Sequence, residues 1–293
     1  MIKVSDVIHI KGMDEKKRES LYELSKDKYV KAFLKEYHLP ESSLNDYWIE
    51  FLDYRDDRKL CENCTGLKQC SKENKGIVKE LEFIDNDISL SMMNCDFYLK
   101  SQDVLNHFVL KHGIKDDLLL TNLETLISKK QISQKGQSAF VEIMKYIKEP
   151  TEKGLFFHSE NSNNEKTILM AALMNALAKK GNTIGFVHFP TYLADLKASF
   201  QSEEKRINWS DLMDLPYLVL DSIGEESVTS YSRDEVLSTI LSYRALNGLP
   251  TFFTSFYGFK DLQKVYTTKK GDEIKAKTVI LKIKSLTKEV ILD

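Results

Sequence analysis

Four cysteines stand in the pattern Cys61-x2-Cys64-x5-Cys70 followed by Cys95, and these are all the cysteines of the chain, gathered within 35 residues. A C-x2-C turn presents two thiolates to one tetrahedral ion, and two more distant cysteines can complete the shell. Four thiolates leave no coordination position open, so the expected zinc ion is structural, fastening a region too small to rely on a core alone. A redox C-x2-C belongs beside a βαβ pattern, which is missing here, and plain reduced cysteines are the other alternative. The six histidines lie outside the cluster and are not needed as ligands.

A second set of residues suits phosphate and Mg²⁺. Within the stretch 216–236 a short apolar run, Tyr217 to Leu220, ends in Asp221, and a glycine turn follows at Gly224. An acid at the end of a fully buried strand emerges at the carboxyl edge of a parallel sheet, where such proteins place ligands. There it can organise Mg²⁺ and water, and an arginine such as Arg233 can reach a neighbour's phosphates. The bland alternative is a buried strand with a polar loop, Arg233 being paired at the surface with Glu225 or Glu226.

Further upstream, Lys166-Thr167 has the ending and the strand–helix setting of a phosphate loop, but residues 159–165 read SENSNNE, without a glycine. Glycines are needed there so that backbone N–H groups can turn inward around the anion. Glu160 and Glu165 stand where the two glycines belong, and their charges repel triphosphate. Ser222 follows Asp221 where a second acid is often found, and Phe256 follows the strand 251–255 where a polar residue would position water. Together these losses predict a site that no longer hydrolyses nucleotide.

The elements that must position these residues follow from hydrophobic period. Residues 14–37 carry a helical apolar stripe, and a second helix begins near Ser42 or Ser43. Runs at 77–84 and 88–93 around Asp85-Asn86-Asp87 predict a β-hairpin. Residues 101–150 are polar and helical in tendency, a connector ending in an amphipathic helix over 138–148. From Gly154, strands at 155–158, 184–189, 217–220 and 251–255 alternate with helices over 166–180, 190–200 and 234–247, and a last strand closes the chain at 290–292. This alternation predicts an α/β fold with a parallel sheet covered on both faces. Of 293 residues, 42% are hydrophobic and 29% charged, with a net charge of −2, so any nucleic-acid site must be local. No apolar run reaches membrane-spanning length, and a cytoplasmic protein without membrane contact is expected.

With those residues in hand, the chain resembles the DnaI-type primosomal helicase loaders, relatives of the DnaC-type loaders. The likeness is strongest over 218–274, in LVLDSIGEESVTSYSRDEV, Tyr243-Arg244, LPTFFTS and KGDEIKA. It extends back through GLFFHS and KTILMAALMNALA to the cysteine region. The resemblance implies an AAA+-like parallel-sheet domain at 151–293, here without a separate lid. Before it come a connector with a first helix at 107–150 and a small α+β zinc-binding domain at 1–106 that contacts a replicative hexameric helicase.

By position, Lys166 and Thr167 match the end of the family's Walker A loop, Asp221 its Walker B acid and Arg233 its candidate arginine finger. Near the C-terminus lysines such as Lys282 stand where the family has a sensor arginine. Family loaders bind ATP with Mg²⁺ and single-stranded DNA, and self-association on the helicase ring follows by analogy. Here ATP and Mg²⁺ are expected only if the altered loop still binds them.

The segment 260–288 has nine lysines against three acids, with Phe259 and Tyr266 nearby. Such a segment suits single-stranded nucleic acid, and Lys264, Lys269, Lys270, Lys275 and Lys277 are the candidates. A solvated basic surface is the alternative. The leading expectation is thus a helicase-loading adaptor with a decayed nucleotide switch. The competing one is an active ATP-dependent loader using an unorthodox loop.

Overall fold

The computed structural model describes residues 13–128, 132–134, 136–160, 165–200 and 206–292. Two compact units are present, Met1–Gln102 and Asp103–Asp293.

In the first unit, helices α1 (Met13–Lys26), α2 (Lys28–Glu36), α3 (Ser43–Asp46) and α4 (Trp48–Cys61) precede an antiparallel hairpin of β1 (Ile77–Ile84) and β2 (Asp87–Asn94). The stripe over 14–37 is therefore two helices and not one. Asp27 breaks it, because its extended backbone and side-chain Oδ1, which accepts from the N–H groups of Tyr29 and Val30, make it the N-cap of α2. Asp85 and Asn86 both take positive φ, 52° and 62°, the geometry that a two-residue hairpin turn demands. Leu24, Val30, Phe33, Phe51, Leu81 and Ile88 form the shared core of helices and hairpin. Helix α5 (Asp96–Asn106) then carries the chain into the second unit.

The second unit runs β3 (Phe108–His112), α6 (Asp116–Leu119), α7 (Leu123–Ser128), α8 (Gly136–Lys148), β4 (Gly154–His158), α9 (Glu165–Ala178), β5 (Ile184–His188), α10 (Phe189–Ser199), β6 (Tyr217–Asp221), a π-helical turn Tyr231–Leu237, α11 (Ser238–Leu246), β7 (Thr251–Ser255), α12 (Phe259–Tyr266), α13 (Glu273–Leu286) and β8 (Thr287–Ile291). Among the described residues six strands form one sheet in the order β3-β5-β6-β7-β4-β8, every neighbouring pair parallel.

The expected parallel sheet is present, and it has a strand that the sequence did not announce. The segment read as a connector supplies β3 at the sheet edge. That strand is only five residues long, and its Val109 is exposed, so the alternation that marks a half-buried strand is weak.

Successive strand residues serve opposite cores. Leu155, Phe157, Phe186, Val219 and Phe252 pack under α8 and α9, while Phe156, Val187, Leu218, Leu220 and Phe253 pack under α10 to α13. Helix α9 is apolar on almost every side and accordingly buried nearly all round. Gly154 begins β4 where a Cβ would lie 2.0 Å from the Thr251 carbonyl oxygen, so no side chain fits between β4 and β7. Arg244, wholly buried, donates to the carbonyls of Leu212, Met213, Leu215 and Pro250 and to Thr251 Oγ1, tying the approaches to β6 and β7 together. Burial without a carboxylate partner at hydrogen-bond distance pulls its guanidinium down to about 9.

Candidate functional site

Strands β4, β6 and β7 end side by side, and their last residues meet the start of α9. The buried Asp221 carboxylate is the centre: its Oδ1 accepts from Thr167 Oγ1 at 2.8 Å and from Thr254 Oγ1 at 2.7 Å. The structure thus brings together Lys166, Thr167 and Asp221, three of the residues picked from the sequence. Residues 161–164, most of the altered loop, lie outside the described residues.

What the neighbouring side chains do is specific. Lys166 is buried and turns its ammonium back to the Ser159 carbonyl, 3.2 Å away. Glu165, in a glycine's place, reaches to the residues ahead of α8. Its two oxygens accept from the Ser133 N–H and hydroxyl, both at 2.8 Å, beside Gly136 at the start of α8. Glu160 faces a cavity of about 330 Å³ with Lys260 and Lys284. Ser222 adopts a positive φ of 61°, and its N–H donates to Thr254 Oγ1. Partial burial raises the Glu225 carboxyl above its ordinary value, and the Asp221 charge adds to this. An acid within electrostatic reach of Asp221 therefore sits three residues beyond the position where the sequence lacks one.

Arg233 is not at the surface, and neither Glu225 nor Glu226 holds it. It is 1% exposed, bidentate to Asp234 at 2.6 and 2.8 Å, and its Nη1 reaches the Tyr266 carbonyl at 2.8 Å and Asp272 at 3.0 Å. The π-helical turn explains the difference, because its wider winding puts Ser232, Arg233, Val236 and Leu237 on the buried side. The Arg233 hydrogen bonds, with help from Lys275, hold the Asp234 carboxyl down at about 2, from an ordinary 3.8. A depressed carboxylate stabilises the fold above its unfolded pKa and loses that stabilisation as pH falls through the folded one. The second unit should therefore lose about 2 kcal/mol from this group on acidification from near pH 4 toward pH 2. Acid titration of unfolding should show that loss in the native chain and its absence in Asp234→Asn.

The lysine candidates lie along α12, α13 and the loop between them. Lys264 is exposed and pairs with Asp261 at 2.6 Å, and Lys275 with Asp234 at 3.0 Å; Lys269, Lys270 and Lys277 are exposed. The aromatic partners read from the sequence are misplaced. Tyr266 is fully buried and Phe259 nearly so, stacked on Phe156, because both lie on the apolar face of α12. Two rings that the sequence reading passed over take the exposed role. Phe200 is 63% and Tyr231 43% exposed, and their centroids lie 6.0 Å apart, edge to face. The available signal was an aromatic residue in a polar run at each place, FQSEEK and TSYSRD, but their pairing joins segments 31 residues apart.

In the first unit all four cysteines line one cavity of about 410 Å³, together with Arg58, Lys72 and Glu80. They are free thiols, and Cys64 Sγ–H donates to the Gly66 carbonyl. Lys72 is anchored to Asp57 at 2.5 Å and to the Ile77 carbonyl, which ties the Cys70–Ile77 stretch to α4. Soft thiols beside two cations are a donor set that suits zinc. As they stand, no three metal-binding side chains among the described residues are drawn together tightly enough to hold an ion.

No protein-family model matches the chain. It is 29% identical over 300 aligned positions to the replicative helicase loader DnaI of Bacillus subtilis (strain 168), covering 95% of this chain and 92% of that protein. Of solved structures, a candidate primosome component from Streptococcus pyogenes serotype M3 is 28% identical. It covers 66% of this chain and 97% of its own, with a TM-score of 0.53. A crystal structure of DnaI is 26% identical, covers 62% of this chain and 97% of its own, and has a TM-score of 0.55. No helix among the described residues is long and apolar enough to cross a membrane.

Proposed function

Because the chain is similar to the DnaI-type helicase loaders along nearly its whole length, we propose that it is a primosomal adaptor. It binds a replicative hexameric helicase and helps place it on single-stranded DNA, with ATP binding and hydrolysis lost. One observation carries the second half of this reading. The two residues that should serve the phosphates have partners inside the chain, Lys166 the Ser159 carbonyl and Thr167 the Asp221 carboxylate. A phosphate would have to displace these contacts, and a loop sequence without glycine disfavours the inward N–H groups that normally reward it.

On this reading the DNA path combines phosphate contacts with stacking. Lys269, Lys270, Lys275 and Lys277 follow the backbone, and the Phe200–Tyr231 pair offers bases a ring face. Lys275 pairs with Asp234, three residues from Tyr231 in the chain. The thiol cavity of the first unit is the place for structural zinc, with Cys61, Cys64, Cys70 and Cys95 as ligands.

The deciding experiment titrates the purified protein with a fluorescent ATP analogue and Mg²⁺, alongside co-elution with the cognate helicase. Co-elution without saturable nucleotide binding at millimolar levels is expected, and Lys166→Ala should change neither. Failure to co-elute counts against the adaptor. The active loader is favoured in one respect, by Glu225 beside Asp221. Micromolar nucleotide binding that Lys166→Ala abolishes, with turnover that Glu225→Gln abolishes, would establish that reading instead.

A further inference from the structure

Between the turn that follows Asp221 and the loop that carries Lys269 and Lys270 runs an unbroken chain of buried polar groups. The Gly224 N–H donates to Glu226 Oε2 at 2.6 Å, and the Tyr266 hydroxyl donates to Glu226 Oε1 at 3.0 Å. The Tyr266 carbonyl accepts from Arg233 Nη1, which also reaches Asp272 Oδ2. Asp272 in turn accepts from the Thr268 hydroxyl at 2.6 Å, and its N–H closes the loop onto the Lys269 carbonyl at 3.1 Å. The four side chains in the middle, Glu226, Tyr266, Arg233 and Asp272, are between 0 and 8% exposed.

We infer that the turn 222–226 and the loop 267–272 open and close as one unit, clamped by Glu226, Tyr266 and Arg233. Two physical reasons support this. Water does not reach the middle of the relay, so a link broken at one end leaves an unpaired buried group, and relaxing that group means breaking the next link. The packing is also close: Gly224 takes a φ of +90°, and a Cβ there would lie 2.5 Å from the Leu262 side chain on α12. A shift of the turn therefore presses on the Leu262 side chain of α12. An anion gathered by Lys269 and Lys270 would be felt at the Asp221 edge by this route. The clamp itself holds whether or not DNA is the ligand and whether or not nucleotide binds.

Amide hydrogen exchange on the full-length protein tests it without any ligand. Thr268→Val removes one donor at the far end and keeps the side-chain shape. Exchange should rise about tenfold in 267–272 and, in parallel, at Gly224 and its neighbours. Tyr266→Phe deletes only the hydroxyl that joins the two halves. In that background Thr268→Val should speed exchange in the loop but raise it much less at Gly224, where only the Leu262 packing still carries the coupling. If Tyr266→Phe does not fold, Glu226→Gln serves as the decoupling variant. A rise confined to the loop in Thr268→Val overturns the inference, and so does an undiminished effect at Gly224 after decoupling.

Discussion

Replacing Arg233 by methionine is expected to cost the second unit about 3–5 kcal/mol of stability. The guanidinium is wholly buried and serves Asp234, Asp272 and the Tyr266 carbonyl at once. Methionine fills much of the volume, so the loss is chiefly electrostatic: Asp272, 5% exposed, keeps only the Thr268 hydroxyl, and Asp234 keeps only Lys275. Lysine restores the charge but not the planar fork that holds Asp234 in two places, so Arg233→Lys should recover only part of the loss. Urea unfolding monitored in the second unit reads the effect directly. An arginine aimed at a neighbour's phosphates would behave in the opposite way, leaving the unfolding midpoint where it was and changing only an assembled activity. An unchanged midpoint in Arg233→Met would return Arg233 to that role.

The second large effect concerns the first unit. If zinc occupies the thiol cavity, the purified protein contains it stoichiometrically, and a strong chelator or Cys64→Ser collapses the segment between α4 and β1. Structural zinc in small domains contributes on the order of 10 kcal/mol, more than the core of Leu24, Phe33, Phe51 and Leu81 can replace. The expected result is loss of hairpin protection in hydrogen exchange and loss of helicase co-elution, while the second unit melts at its usual temperature. Protein that contains no metal, or that keeps its hairpin protected after chelation, would remove zinc from the account and leave four reduced cysteines around a cavity. Lys72, bridging Asp57 and the Ile77 carbonyl, would then be the main tie between α4 and the cysteine loop.

Part of this is written in the sequence alone. The apolar runs at β4, β6 and β7 and the almost wholly apolar α9 declare a sheet buried on both faces, because such runs have no solvent side to spare. The hairpin turn was legible for a similar reason, since Asp85 and Asn86 tolerate positive φ. The loss of glycine from 159–165 is a fact of composition, readable without a fold. All of these are local: what the residue or its few neighbours can do is already decided by their own chemistry.

What only the folded chain decided is where side chains find distant partners. Arg233 looked available because the sequence cannot show Asp272, 39 residues on, or the π-helical winding that turns it inward. Phe259 and Tyr266 looked like bases' partners until the apolar face of α12 turned them into the core, leaving Phe200 and Tyr231 to meet the solvent. The strand β3 acquired its identity from pairing with β5 rather than from its own five residues. Period and composition act over a few residues and survive in the sequence. Burial and pairing depend on which segments the whole fold brings together.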